Sequence, residues 1–162
     1  LAGRPMTSYE IVPIGVVRSS RSNAVDDDWD AVTAEIVLDP NRLGPDVLAG
    51  LEEFSHVEIV FLFDQVDESE INLGARHPRG NPDWPVVGIL AQRAKMRPNR
   101  IGVTACRLLV VEGMTVRVDG LDAIDGTPVL DIKPVMNEFL PRGEISQPSW
   151  ATELMAGYWS HS

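Results

Sequence analysis

The apolar residues of this chain fall in short β-branched runs bounded by turn-forming residues, and that pattern excludes most architectures. Residues 10–18 and 31–38 read as strands, the second with alternating polarity, and Pro13 puts the start of the first at an edge. Residues 56–63 form a continuous apolar run, read as a strand buried on both sides. Further strands are expected at 86–90, 103–111, 115–118 and 128–132, with Glu112 and Gly113 in a tight turn whose glycine can take a positive φ. Helical spacing is confined to Val47, Leu48, Leu51 and Phe54 within 45–54, and to a last helix over 150–159 capped by Ser149. No strand–helix–strand rhythm connects these elements. The expected fold class is therefore mainly β, a small antiparallel or mixed β-barrel with two or three short helices.

With 162 residues and 44% hydrophobic content, the chain can close one core and is too short for two ordinary domains. Residues 1–8 read as a tag or disordered tail, 9–140 as the barrel domain, and 141–162 as a C-terminal helical extension packing on the barrel or on a dimer partner. The longest apolar runs fall far short of the roughly 20 residues a membrane-spanning helix requires. Nothing at the start reads as a signal peptide, so a cytoplasmic protein with no membrane partner is expected. Cys106 is the sole cysteine and the three histidines are scattered, which leaves no internal disulfide and no recognisable metal site.

The net charge of −10 argues against a polyanionic partner when averaged, but its distribution does not. Arg76, Arg79, Arg93, Lys95, Arg97, Arg100 and Arg107 are half of the 14 basic residues, and Asp83 is the only acid among residues 76–107, so that stretch carries +6. Such polarity steers an anionic substrate to one face while the acidic remainder repels polyanions elsewhere; a solvated basic loop is the plainer alternative. The 22 residues from 64 to 85 are poor in apolar side chains, and a loop of that length inside a compact domain is functional or disordered. The chain has no GxGxxG after a strand, no phosphate loop and no nucleophile elbow, so a nucleotide-like cofactor would not sit on a Rossmann fold.

Seven segments carry a resemblance. They are IleGlyValValArgSer at 14–19, GlyLeuGluGluPheSerHis at 50–56, PheLeuPheAspGln at 61–65, HisProArgGly at 77–80, GlyIleLeuAlaGlnArg at 88–93, ArgProAsnArgIleGly at 97–102, and the segment 122–134 with its AspGlyThrPro turn. In this order they resemble the TsaA-like (YaeB-like) family, to which the TrmO tRNA methyltransferases belong. The resemblance implies a small β-barrel that binds S-adenosylmethionine, forms a homodimer, and methylates the exocyclic nitrogen of threonylcarbamoyladenosine beside the anticodon of tRNA.

By that resemblance the cofactor contacts are Asp64, Gln65, Arg93, Gly102, Val103, Leu121, Asp122, Asp125, Gly126 and Thr127. The sulfonium, amino-acid head and adenosine of S-adenosylmethionine call for carboxylate or carbonyl acceptors, an anion contact and apolar walls, which these residue types supply. Two plainer readings stand beside it: the AspGlyThrPro element is ordinary turn chemistry, and Gly102 relieves crowding where a strand begins. A carbamoylated adenine nitrogen is a weak nucleophile, so a base or a donor to the carbamoyl oxygen would help. The catalytic candidates are Asp64, His77, Arg97 and Asn99, with Asp125 as a further candidate base. His56, at the mouth of a strand, reads as a hydrogen-bonded structural histidine. Where tRNA-methylating members show a ProArgGln-like element, this chain reads AlaValAspAspAspTrpAsp at 24–30. That acidic replacement favours one alternative to a tRNA substrate, a small-molecule acceptor; a non-catalytic S-adenosylmethionine-binding module, which would keep the cofactor pocket and lose the substrate positioners, is the other.

Overall fold

The computed structural model describes Gly3 and residues 6–159; the expected tail at 1–8 and the last residues of the expected 141–162 extension lie partly outside the described residues. In chain order the strands are β1 (Gly15–Ser19), β2 (Thr33–Leu38), β3 (His56–Leu62), β4 (Ala75–Arg76), β5 (Val87–Gly88), β6 (Ile101–Glu112), β7 (Thr115–Asp119) and β8 (Pro128–Pro134). One α-helix, α1 (Ser149–Leu154), follows. Six strands close into a barrel in the order β1-β2-β7-β6-β3-β8, every neighbouring pair antiparallel, while β4 and β5 pair apart from it. Closure removes exposed sheet edges, which suits strands this short.

Period-two alternation fixes which side chains face inward. β6 alternates exposed and buried positions from Ile101 through Arg107, sending Gly102, Thr104 and Cys106 to the interior. Val57, Ile59 and Phe61 of β3, Ala34, Ile36 and Leu38 of β2, and Val116 and Val118 of β7 meet them in one core with Val17, Leu121 and Val129. β6 serves two partners: residues 101–107 pair with β3, and 107–112 pair with β7. Between Leu108 and Val110 the register shifts, a bulge that bends the long strand around the barrel. Gly102 sits opposite Phe61, and a Cβ there would stand 2.6 Å from the Phe61 ring and 2.9 Å from that of Phe63. Glycine is needed at this point because the ring of a fully buried phenylalanine already fills the space.

The structure departs from the sequence expectations in the helices. Residues 45–54 form turns and one 3-10 turn, Leu51–Glu53, because Gly50 at φ 85 bends the chain before a helix can propagate. Leu48 still points into the core, which accounts for the apolar spacing. α1 ends at Leu154, and Ser149 is its first residue with no side-chain cap before it. Among the described residues there is thus one short α-helix where two or three helices were expected. β3 alternates buried and partly exposed residues and so is not buried on both sides. The Glu112 and Gly113 turn is displaced by one residue onto Gly113 and Met114, with Gly113 at φ 58 as its conformation demands.

Because all strands alternate in direction, one end of the barrel collects the last residues of β1, β3 and β7 and the first of β2, β6 and β8. The connections 20–32, 63–100 and 120–127 all leave from that end. The opposite end carries the connection 39–55 and the tight turn after β6. No helix among the described residues is long and apolar enough to cross a membrane.

Candidate functional site

The end of the barrel that carries these connections is where the sequence-predicted residues gather. Asp64 and Gln65 follow β3; Gly102 and Val103 open β6; Leu121, Asp122, Asp125, Gly126 and Thr127 form the link from β7 to β8. Arg93 joins them from the long connection, its Nη2 donating to the Val103 carbonyl at 2.6 Å.

The link 120–127 is held on three sides. Its Gly126 N–H donates to the Val17 carbonyl at 2.8 Å, with Gly126 itself at φ 85. The Asp125 carboxylate accepts the Ser19 N–H at 3.0 Å, and the Asp125 N–H donates to the Arg21 carbonyl at 2.8 Å. Thr127 Oγ1 donates to the Ile124 carbonyl at 2.7 Å. Leu121 and Thr127 are buried, whereas Asp125 and Gly126 are exposed. The turn is therefore built by ordinary turn chemistry and also presents Asp125 at the barrel mouth.

Asp122 is the most tightly held group in the set. Thr104 of β6 donates its hydroxyl to Oδ1, and Tyr158 donates its hydroxyl to Oδ2. Burial, then the Asp122 charge and hydrogen bond, push the Tyr158 hydroxyl far above the ordinary tyrosine range, so it stays protonated and donating. The Arg93 and Arg79 cations pull the same hydroxyl the other way, but less strongly. Sequence reading missed Thr104 and Tyr158. Thr104 left a signal, being a polar residue on the inward row of β6 that must find a partner; Tyr158, 36 residues from its acceptor, left none.

The catalytic candidates lie in the long connection, where backbone bonds replace regular structure. Asn72 N–H donates to the Met96 carbonyl, Ile89 N–H to that of Gly74, and Gln92 Nε2 to those of Arg76 and Val87. The His77 Nδ1 proton is donated to the Trp84 carbonyl at 2.6 Å, leaving Nε2 as the free ring nitrogen. Arg97 donates to the Gln92 carbonyl at 2.5 Å and to that of Ala94 at 3.4 Å. Asn99 and Arg100 both hold positive φ, 63 and 50, a left-handed pair that costs non-glycine residues about 1 kcal/mol each. Asp64 contacts Gln65 at 3.4 Å, and among the described residues no hydrogen bond joins His77 to Asp64 or Asp125. His56 bonds Ser55 Oγ at 2.7 Å.

The basic stretch keeps its charge. Arg93, Arg97 and Arg100 donate to main-chain carbonyls, and Arg76 reaches only the Met96 sulfur at 4.0 Å with its Nε buried and unbonded. Among the described residues none of these four is ion-paired with a carboxylate, and in this stretch Arg79 alone is, to Asp26 and Asp27 at 3.9 and 3.1 Å. Carbonyl partners fix a guanidinium without neutralising it.

Cys106, inward on β6 below Thr104, is a buried thiol that burial, then the Asp122 charge, push up to about 12 from 9.0. A folded value above the unfolded one means that the unfolded chain loses a proton the folded protein keeps. Its contribution is thus intact below pH 9.0 and is lost as pH rises toward about 12. Urea midpoints are expected to fall across that alkaline window and to fall less steeply in Cys106→Ala; identical slopes would contradict this reading.

A family model described as the tRNA-methyltransferase O N-terminal domain matches residues 24–139. A tRNA (adenine(37)-N6)-methyltransferase of Mus musculus is 45% identical over 92 residues, which are 57% of this chain and 21% of the mouse protein. A Methanothermobacter thermautotrophicus protein named "Probable S-adenosyl-L-methionine-binding protein" is 37% identical over 128 residues, covering 76% of this chain and 88% of its own. The crystal structure of TrmO from Pseudomonas aeruginosa superimposes with a TM-score of 0.70 at 30% identity, over 86% of this chain and 61% of that one. The chain spans from a fifth to about half the length of the first curated relatives it matches. By the family match and these likenesses of sequence and fold, the chain belongs to the tRNA-methyltransferase O N-terminal domain family.

Proposed function

We propose that this chain is the catalytic barrel of an S-adenosylmethionine-dependent methyltransferase that modifies the exocyclic N6 of threonylcarbamoyladenosine in tRNA, next to the anticodon. The observation that carries the reading is the convergence at one barrel end of three carboxylates, Asp64, Asp122 and Asp125, with a folded loop in which Arg76, Arg93, Arg97 and Arg100 form no ion pair among the described residues. Names of relatives in the same family supply the two halves of the chemistry, adenine-N6 methylation and S-adenosylmethionine binding.

The donor set fits the cofactor: carboxylates and turn carbonyls suit a sulfonium cation, and the Arg93 guanidinium suits the carboxylate of its amino-acid head. When bound, S-adenosylmethionine supplies an electrophilic methyl group. The residues of the chain then align and deprotonate. Arg93, Gly102, Val103 and the 121–127 turn hold the cofactor, while Arg97 and Asn99 fix the loop against the acceptor base. Alignment of this kind accounts for much of the rate in such transfers. As N6 gains the methyl group its proton must leave. We assign it to His77, whose Nδ1 proton is anchored on the Trp84 carbonyl, so that Nε2 is the nitrogen able to accept a proton. Asp64 is the alternative, and Asp125 already has Oδ1 engaged by the Ser19 N–H. The guanidinium groups of Arg76, Arg93, Arg97 and Arg100, bonded to sulfur or carbonyls, supply the positive field for a phosphate backbone.

The net charge of −10 favours a second reading, a small-molecule acceptor on the same barrel. Transfer of labelled methyl from S-adenosylmethionine to total tRNA from cells lacking this gene separates the two. Label in tRNA is the expected result; no label from protein that binds the cofactor would move the assignment to a small acceptor or to a non-catalytic binding module. A tRNA acceptor also implies a cytoplasmic location.

The working unit is a homodimer. Supporting this are apolar side chains left exposed on the long connection and on the outer row of β6: Val86 at 57%, Leu90 at 76%, Ile101 at 37% and Val103 at 40%. Sedimentation velocity at micromolar concentration is expected to give about twice the mass of one chain; a monomer carrying full activity would contradict it.

A further inference from the structure

The family model stops at residue 139, yet a contact at the centre of the candidate site comes from beyond it. After α1 the chain turns back to the loop-bearing end of the barrel. The carbonyls of Gly157, Tyr158 and Trp159 accept the N–H groups of Asp28, Trp29 and Asp30 at 3.2, 3.0 and 2.7 Å. Glu153 of α1 accepts the Trp84 indole N–H at 2.9 Å, tying the same segment to the long connection. The loop holding Asp26 and Asp27 is in turn bridged to Arg79 of that connection. These links aim the Tyr158 hydroxyl at Oδ2 of Asp122, with the Trp159 ring edge-on against Tyr158 at 5.0 Å between centroids.

We propose that Tyr158 is a positioning residue for cofactor binding, and that residues 149–159 complete the site by fixing the Asp122 carboxylate from the side opposite Thr104. An ionised carboxylate has about four acceptor directions. With one oxygen held by Thr104 and the other by Tyr158, rotation about the Asp122 side-chain bond is stopped, and the remaining acceptor directions are fixed before any ligand arrives. Without Tyr158, the hydroxyl of Thr104 alone leaves the carboxylate free to swing. The ordering that Tyr158 supplies in advance must then be supplied by the ligand, at a cost in affinity. Tyr158 stays a donor across the ordinary pH range, so this restraint does not switch with pH.

The inference rests on the S-adenosylmethionine reading above, and a double-mutant cycle separates the failure of one from the failure of the other. S-adenosylmethionine is titrated calorimetrically into the wild type, Tyr158→Phe, Asp122→Asn and the double variant, each checked for folding by near-ultraviolet circular dichroism. Phenylalanine keeps the ring and its contact with Trp159, so the variant isolates the hydroxyl. Tyr158→Phe is expected to bind about tenfold more weakly than the wild type, the scale of one hydrogen bond to a charged group. In the Asp122→Asn background the same change is expected to alter affinity less than about threefold, because the group it positions is gone. A wild type that binds while Tyr158→Phe matches it overturns the inference alone. So does an equal tenfold loss in both backgrounds, which would mark a general structural role. A folded wild type that does not bind S-adenosylmethionine overturns the cofactor reading and this inference with it.

Discussion

Replacing Phe61 by alanine is expected to lower the stability of the protein by about 3–5 kcal/mol, the range for deleting a large buried aromatic side chain. Phe61 is 1% exposed near the C-terminal end of β3, stands edge-on to Phe63 at 5.3 Å, and occupies the space opened by Gly102. The strands on either side, β6 and β8, are held by backbone bonds and cannot collapse into the void, so the cavity cost is retained. A domain of this size has about 5–15 kcal/mol in total, so a large share of the margin would go. The urea midpoint measures it: a large fall with an unchanged slope is the expected result, whereas a loss near 1 kcal/mol would mean that the barrel relaxes around the gap. Because Phe61 also lies under the residues that open β6, cofactor affinity is expected to weaken in the same variant under conditions where it remains folded.

The second large effect is kinetic. Arg97→Ala is expected to reduce turnover about 100-fold, the scale of a positioning error near an ångström, while changing S-adenosylmethionine affinity less than about threefold. The reason lies in its partners. Arg97 donates to the carbonyls of Gln92 and Ala94, and Gln92 in turn brackets Arg76 and Val87, so one guanidinium holds together the excursion that carries His77 and Asn99. The cofactor residues of the 121–127 turn are anchored separately on β1 and on Arg21, out of reach of that change. Single-turnover methyl transfer with saturating cofactor measures the first quantity and calorimetry the second. Unchanged turnover would remove Arg97 from the machinery; equal losses in both would show that the loop and the turn act as one unit.

Where alternation was strong the strands were legible. β2 and β6 show period two over most of their length, and a closed barrel is one way for so many short strands to bury one face each. Residues 86–90 read as a full strand because Val86, Val87, Ile89 and Leu90 are apolar, but only Val87 and Gly88 find a partner and Leu90 points outward. Over 45–54 the spacing reported true burial of Leu48 but the wrong local structure, since one glycine in the left-handed region outweighed it. At the site, the resemblance named segments that, apart from 50–56 at the opposite end, the barrel brings to or toward one end, which composition could not have done. What no pattern conveyed was how individual side chains are used. Arg97 and His77 look like free functional groups in sequence, and the structure engages both with backbone carbonyls. One of the two partners of Asp122 comes from a C-terminal turn whose tyrosine resembles any other apolar helix residue.

The central claim is that S-adenosylmethionine occupies the loop-bearing end of this barrel. Amide chemical-shift mapping with increasing S-adenosylmethionine tests it most directly, since the reporters at the two ends of the barrel are distinct. The account predicts that the largest shifts fall on Asp64, Gln65, Gly102, Val103 and the 121–127 turn, with little change at Glu112, Gly113 and Met114 on the opposite end. Shifts centred on that opposite turn, or none at millimolar cofactor, would contradict it.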